Sequence, residues 1–374
     1  MNQKQTQPLP DQLEISVFGP GYGESILIHI GNGAWIAIDS CEDSQTKQSV
    51  PLHYIKSLGC NPETAIRFIV ASHWHDDHVR GLHELLLASN NANFSCASVL
   101  TEKEFLALAK IYDDPTSKVA KGPKELHNCI QTIQERVIRT GQQKLNWSGA
   151  DRVLCKSTVP FNIKLTSLSP SDEMYTRSLR FMAEYMNVVK KGYAEPKLSH
   201  TLPNDVAVAL LLEINGRNIL LGSDLEEEGK PLFGWSAVLN GNTIPGIKSS
   251  AFKVAHHGSK TGHHDGVWKN ILEANPLALM TPFKHGSHNI PNVDERNRIL
   301  ALTNRAYISS NPNLNIKPQK KSNKVQTILN GTVANLRLAQ GAVGHIRWRA
   351  SINNPEDAGT IELFDGALCL SDVV

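Results

Sequence analysis

Residues 66–78 read IRFIVASHWHDDH, an apolar run of strand length that ends directly in His73, His75, Asp77 and His78. The stretch 66–72, apolar apart from Arg67 and Ser72, has the character of a strand buried on both faces. Such a strand delivers the loop after it to a sheet edge, where short segments held by a rigid scaffold let catalytic groups converge. His73 and His75, two apart in an extended segment, can point to one side and share an ion, while Asp77 and His78 continue into a helix and can face a second. Imidazole and carboxylate donors suit Zn²⁺ best, with Mn²⁺ or Fe²⁺ as alternatives where oxygen donors are added. The bland alternative is a surface His/Asp loop without chemistry, but histidine is infrequent and four fitted positions in six residues seldom coincide.

Upstream, LEISVF (13–18), SILIHI (25–30) and WIAID (35–39) read as consecutive strands separated by the Gly-rich turns GPGYG and GNG, and HYIKSLG as a helix leading into the decisive strand. Downstream the texture changes. TEKEFLALAKIYD, KELHNCIQTIQERVIRT and EMYTRSLRFMAEYMNVVKK are long helical patterns broken by DDPTSK, KGP and SPSDE, and predict a mainly helical insertion or lid over 101–197. VAVALLLEI (206–214), a turn at Asn215-Gly216 and NILLGSD (218–224) predict a β-hairpin, and AFKVAHH (251–257) and LALMTPF (277–283) two further strands. VANLRLA, HIRWRA and IELF are strand-like pieces that predict a small C-terminal extension over 301–374. No internal repeat at a fixed period is apparent.

The string His73, His75, Asp77, His78 resembles the H-x-H-x-D-H signature of the metallo-β-lactamase superfamily. The resemblance implies an α/β fold, the αββα sandwich, with its halves at 12–100 and 198–300. GPGYGESILIHIGNGAWIAIDS is similar to the family's first hairpin, with Glu24-Ser25 where the ComEC-type competence branch has an acidic-Ser pair and Asp39 ending the strand. NILLGSDLE resembles the second metal motif and implies that Asp224 bridges two ions, which would otherwise repel each other strongly. KVAHHGSKTG resembles the HHGS(K) motif of the competence-type branch. It implies a ligand role for His256, the first histidine after the strand, with His257 supporting it or contacting substrate; the two neighbours are alternatives. His200-Thr201-Leu202-Pro203 is similar in place to the H-S-x-P-like turn of ribonuclease J-like and ribonuclease Z-like members and implies His200 as a further ligand. Competence-type members have an Asn-rich turn there, which Asn204-Asp205 would match. His83 reads as a helix-face residue, and His263, His264, His285 and His288 as loop or cleft candidates.

Two divalent ions, Zn²⁺ foremost, would lower the pKa of a water from near 16 towards about 7. Asp77 would position the second ion and the water. Ser259 and Lys260, just after the metal histidines, offer a hydroxyl and an ammonium suited to a phosphate. A phosphodiester in nucleic acid or a nucleotide is therefore the leading substrate class. A carboxylic ester, thioester or lactam is the runner-up, and a non-catalytic protein that docks a partner through the helical insertion is the third reading.

The formal net charge of +2 over 374 residues is too small to steer a polyanion by the global field, so nucleic-acid affinity would rest on local patches. Lys317, Lys320, Lys321 and Lys324 form one candidate, the alternative being a solvated loop. No apolar run is long enough to span a membrane, and MNQKQTQPLP lacks the apolar region of a secretory signal. Six cysteines without a C-x-x-C pair argue against a disulfide framework and a cysteine zinc site, and a cytoplasmic setting is expected.

Overall fold

The computed structural model describes residues 6–19, 23–111, 122–190, 203–285, 288–313 and 343–373. The chain opens as an antiparallel meander of β1 (Gln12–Gly19), β2 (Ser25–His29) and β3 (Trp35–Ile38). Strands β4 (Ile66–Val70), β5 (Asn93–Ala97) and β6 (Leu145–Ser148) continue it in parallel. Helices α1 (Val50–Ser57), α2 (Pro62–Ala65), α3 (Asp76–Val79), α4 (Leu82–Ala88), α5 (Lys103–Ile111) and α6 (Gly122–Thr140) lie in the crossovers.

A second meander follows in β7 (Arg152–Ser157), β8 (Ile163–Ser167), β9 (Leu210–Ile214) and β10 (Arg217–Leu221), with α7 (Asp172–Lys190) between β8 and β9. After α8 (Gly234–Leu239), strands β11 (Ser249–Lys253) and β12 (Leu272–Met280) run parallel to β10. The small hairpin of β13 (Phe283–His285) and β14 (His288–Ile290) and helix α9 (Val293–Leu300) lead to β15 (Ala306–Ile308), parallel to β12. Finally β16 (Gly344–Ser351) and β17 (Thr360–Phe364) join the first sheet, and β18 (Leu368–Cys369) the second. Among the described residues the result is two eight-stranded sheets, ordered β17-β16-β1-β2-β3-β4-β5-β6 and β18-β15-β12-β11-β10-β9-β8-β7, beside the two-stranded hairpin.

Alternation along the second sheet shows how the layers stack. Leu210, Leu212, Ile214, Ile219, Leu221, Ala251, Leu277 and Leu279 share one core with Leu13, Ile15, Ile28 and Ile69 of the first sheet. Their neighbours Leu211, Leu220, Phe252, Ala278 and Met280 belong to a separate core with Trp235 and Val238 of α8 and Ile299 of α9. Side chains of successive strand residues point to opposite faces, so one face of this sheet packs on the other sheet and the opposite face on helices. The first sheet buries Leu52 and Ile55 of α1, Leu82, Leu85 and Leu86 of α4 and Ile133 of α6 in the shared core. This is the expected αββα sandwich.

Two stretches differ from the sequence expectation. The helical patterns over 101–197 do form α5, α6 and α7, but LNWS, RVLCKS and IKLTS between them are β6, β7 and β8, built into both sheets. The signal of β6 and β7 was weak because they are edge strands of four and six residues in which only Leu145, Ser148 and Leu154 are buried, so alternation had little apolar contrast to work on. The C-terminal stretch is likewise not a separate appendage. HIRWRA pairs with β1 from Gln12 to Gly19 as part of β16, and IELF lies in β17 beside it. VANLRLA falls outside the described residues.

The paired ends of β1 and β16 abut the second sheet through Gly19 and Gly344. A Cβ at Gly344 would lie 1.7 Å from the backbone carbonyl oxygen of Ser309, which follows β15. Gly344→Ala is therefore expected to lower stability by about 1–3 kcal/mol, the usual cost of overpacking. A urea midpoint equal to that of the wild type would contradict this close approach.

Candidate metal centre

Asp39 ends β3 and builds the first half of the centre. Its Oδ1 accepts the Ser72 backbone N–H at 2.7 Å, and its Oδ2 accepts the Ser72 hydroxyl at 2.6 Å and the His78 Nδ1–H at 2.8 Å. One carboxylate thus ties the ends of β3 and β4 to α3. Because the Ser72 hydroxyl donates to Asp39, its oxygen is available to accept from His73 Nδ1, 3.0 Å away. Both histidines are then left with a bare Nε2 in their neutral forms. His73 Nε2 lies 3.0 Å from His75 Nδ1, as two imidazoles two residues apart on extended chain should.

The second half comes from β10 and β11. Gly222, directly after β10, passes so close to Ala255 that a Cβ there would lie 2.9 Å from the Ala255 Cα. That contact sets the Asp224 turn against the loop after β11. Asp224 Oδ1 lies 3.4 Å from His78 Nε2, and its Oδ2 is 3.7 Å from His73 Nε2 and 3.7 Å from His257 Nε2. His257 Nε2 is also 3.4 Å from Asp77 Oδ2.

These atoms sort into two ligand groups. Asp77, His78, Asp224 and His257 each offer one donor atom within 4.8 Å of one another, and so do His73, His75 and Asp224. Asp224 belongs to both groups. His78 Nε2, Asp224 Oδ1 and His257 Nε2 are buried without a hydrogen bond, although buried polar atoms are nearly always partnered. Converging orphaned nitrogen and oxygen donors of this type fit divalent cations such as Zn²⁺. Asp39 also groups with His73 and His78, but Ser72 and His78 already saturate it, so it orients ligands rather than adding one.

The buried acidic and imidazole groups shift one another strongly. Burial opposes ionisation of Asp224, yet His78 and His257 hold its carboxyl well below the ordinary range, and His78 does the same for Asp77. Burial likewise opposes protonation of His78, but Asp224 and Asp77 outweigh it and raise its pKa well above the usual value. His73 goes the other way, lowered by burial and by the neighbouring His78.

The structure differs from the sequence reading at the paired histidines. It brings His257, not His256, into the four-residue group. The expectation for His256 extended strand geometry through residue 257, whereas β11 ends at Lys253 and His256 and His257 both take left-handed conformations, with φ of 47° and 55°. The alternation that would have aimed the first histidine inward is lost. His256 Nδ1 instead contacts Thr261 Oγ1 at 2.8 Å and Glu226 Oε1 at 3.0 Å.

Other named residues take humbler places. The Ser259 hydroxyl contacts that of Thr261 at 3.2 Å, and Lys260 is exposed on the turn with its backbone N–H bonded to Glu295. Asn204 is buried with an unpartnered Oδ1, outside both ligand groups. His83 Nε2 contacts Thr132 on α6. His263 pairs with Asp265, His264 accepts the Gly266 N–H, and His285 and His288 are backbone register partners in the β13–β14 hairpin. His200 and the lysines at 317, 320, 321 and 324 lie outside the described residues.

Lys253, Thr281 and Glu226 were not anticipated. Lys253 had a signal, being the one charge inside the apolar run AFKVA. It is buried against Glu24, with Nζ 2.6 Å from Oε2, and burial would raise the Glu24 carboxyl were Lys253 not holding it below its ordinary range.

Residues 18–129 match the family model described as the metallo-β-lactamase superfamily. The matched segment is less than a third of the chain. It spans β2 to β5 and contains the H-x-H-x-D-H residues. Among solved structures the chain is similar to the metallo-β-lactamase of Cronobacter sakazakii with the HARLDQ motif, at 15% identity over 63% of this chain and 76% of that one, TM-score 0.35. It is also similar to MEM-A1, a subclass B3 metallo-β-lactamase from a soil metagenome library, at 14% identity over 68% and 83%, TM-score 0.33. A third is the metallo-β-lactamase MIM-1 from Novosphingobium pentaromativorans, at 15% identity over 67% and 77%, TM-score 0.33. No curated protein matches the chain in sequence. No helix among the described residues is long and apolar enough to cross a membrane.

His257→Ala should weaken metal binding by more than about 100-fold, the upper end of what loss of an orienting partner costs, while His256→Ala should cost under about 10-fold. Equilibrium dialysis of both variants decides this, and the reverse order would restore His256 as the ligand. The pH dependence has a fixed sign. Asp224 and Asp77 raise the His78 pKa in the metal-free protein, so an ion taking its Nε2 competes with a proton held more firmly than on an ordinary imidazole. Affinity should therefore rise with pH through the neutral range, with proton release. Calorimetric titration in two buffers of different protonation heat would show equal heats if no proton left.

Proposed function

We propose that this chain is a dinuclear metal-dependent hydrolase acting on phosphodiesters, in a nucleic acid or a nucleotide. The observation that carries the hydrolase reading is the sharing of Asp224 between two ligand groups. His73, His75 and Asp224 would hold one ion, and Asp77, His78, Asp224 and His257 the other. Zn²⁺ suits this donor set, with Mn²⁺ or Fe²⁺ as substitutes.

When bound, two such ions supply an acidified water and a counter-charge for the oxygen on which charge develops. The protein's own share is orientation. Asp39 fixes His78 directly and His73 through Ser72, so neither imidazole need reorganise.

The phosphodiester class is supported by the likeness of KVAHHGSKTG to the competence-type motif, with Lys260 exposed on the turn after His257 and Ser259 beside it, an ammonium and a hydroxyl suited to a phosphate.

Purified protein with Zn²⁺ or Mn²⁺ should cleave bis-nitrophenyl phosphate in preference to a nitrophenyl ester, and Asp77→Ala should abolish turnover with the fold intact. Cleavage of single-stranded nucleic acid should weaken steeply with added salt as released counterions are lost as a driving force. Ester or thioester turnover with no diester cut under either metal would overturn the phosphodiester reading, and protein that neither binds metal nor turns over any substrate would overturn the hydrolase.

A further inference from the structure

Behind His257 lies a buried polar chain that the ligand groups do not include. Thr281 follows β12, Lys253 ends β11 and Glu24 precedes β2, so the chain joins both sheets. All three side chains are buried. His257 Nδ1 lies 3.0 Å from Thr281 Oγ1 and 3.3 Å from the Thr281 carbonyl oxygen. The Thr281 hydroxyl in turn bonds Glu24 Oε2, which also meets Lys253 Nζ at 2.6 Å. Lys253 Nζ makes a further bond to the Val254 carbonyl at 3.1 Å.

The direction of every bond follows from what each group can do. The Thr281 carbonyl oxygen only accepts, but at 3.3 Å it lies beyond the usual N–H···O range, so it favours a proton on His257 Nδ1 without fixing it there. An ion-paired carboxylate only accepts, so the Thr281 hydroxyl proton points to Glu24 and its oxygen is left to accept from His257. The order is His257 to Thr281 to Glu24, with Lys253 donating from the far side. Of the two neutral tautomers, the one with its proton on His257 Nε2 cannot satisfy all four groups.

We propose that Glu24, Lys253 and Thr281 are positioning residues that lock His257 in the Nδ1–H tautomer and so present its bare Nε2 to Asp77 and Asp224. A purely structural purpose is a poor account of the ion pair, because well-packed apolar side chains often replace a buried pair without loss of stability. The first sheet has the counterpart. There Asp39 supports His73 through the Ser72 hydroxyl as Glu24 supports His257 through Thr281. The difference is the lysine. Asp39 also takes a second imidazole, whereas Glu24 takes an ammonium that keeps its charge compensated in the interior.

This inference rests on His257 being a ligand, and its test separates the two. The tautomer is read on metal-free protein by nitrogen-15 NMR of labelled histidine, and the metal affinity is read independently. Thr281→Val, equal in volume but without the hydroxyl, should turn the single Nδ1–H signature of His257 into a mixture and weaken metal binding about 10- to 100-fold. Thr281→Ser should retain both wild-type values. Should Thr281→Val not fold, the double variant Glu24→Gln with Lys253→Met removes both charges together, leaves no orphan ion, and should shift the same two readouts. Wild-type nitrogen shifts and metal affinity in Thr281→Val or in the double variant would overturn the proposal. Equal losses in Thr281→Val and Thr281→Ser would also overturn it, since the hydroxyl would then not be the cause.

Discussion

The carboxylate of Asp39 is the constraint on which the first half of the centre depends. It is buried, and burial pushes its pKa above the ordinary carboxylate range against the pull of His78 and Ser72. A group so expensive to bury is tolerated where its partners are fixed before it arrives. Here those partners are a backbone N–H and a hydroxyl at the end of β4 and an imidazole on α3. Strand β4 is parallel to both its neighbours and buried except at Arg67, so the end that carries Ser72 has little freedom to move. Rigidity in the sheet is thereby passed to the imidazoles.

Much of this was legible in the sequence. The apolar run ending in His73 to His78 announced both the buried strand and the candidate donor cluster, because it combined a clear pattern with rare residue types. The hairpin through Asn215-Gly216 was equally plain, since turn chemistry and flanking apolar alternation agreed. What escaped had physical causes. Strands β6 and β7 are sheet edges with little apolar contrast, and β16 gains its place from pairing with β1 across more than 300 residues, which no local pattern records. The choice between His256 and His257 turned on two left-handed backbone conformations in non-glycine residues, an exception to the usual steric preference. Thr281 could not have been found, because its function is a contact with residues far away in the chain.

The order of strands shows a repetition that the residues themselves hide. In the first sheet β1, β2 and β3 form an antiparallel meander followed by the parallel strands β4, β5 and β6. In the second, β8, β9 and β10 form a meander followed by the parallel strands β11, β12 and β15. Asp39 follows the third strand of one unit and Asp224 the third strand of the other, and the histidine loops follow the fourth strands, β4 and β11. Equivalent corners of the two units thus supply carboxylate and imidazole to one centre.

That arrangement puts the ligand groups on a seam. His73, His75, Asp77 and His78 come from the first unit, Asp224 and His257 from the second, and neither ligand group is complete within one unit. An ion bound there would act as a clasp, adding its binding free energy only when the two sheets are docked in register. Mispaired or half-folded chains would forfeit that gain. Metal supply would then decide how firmly the sandwich is closed, and divalent ions would serve as a late check on correct assembly.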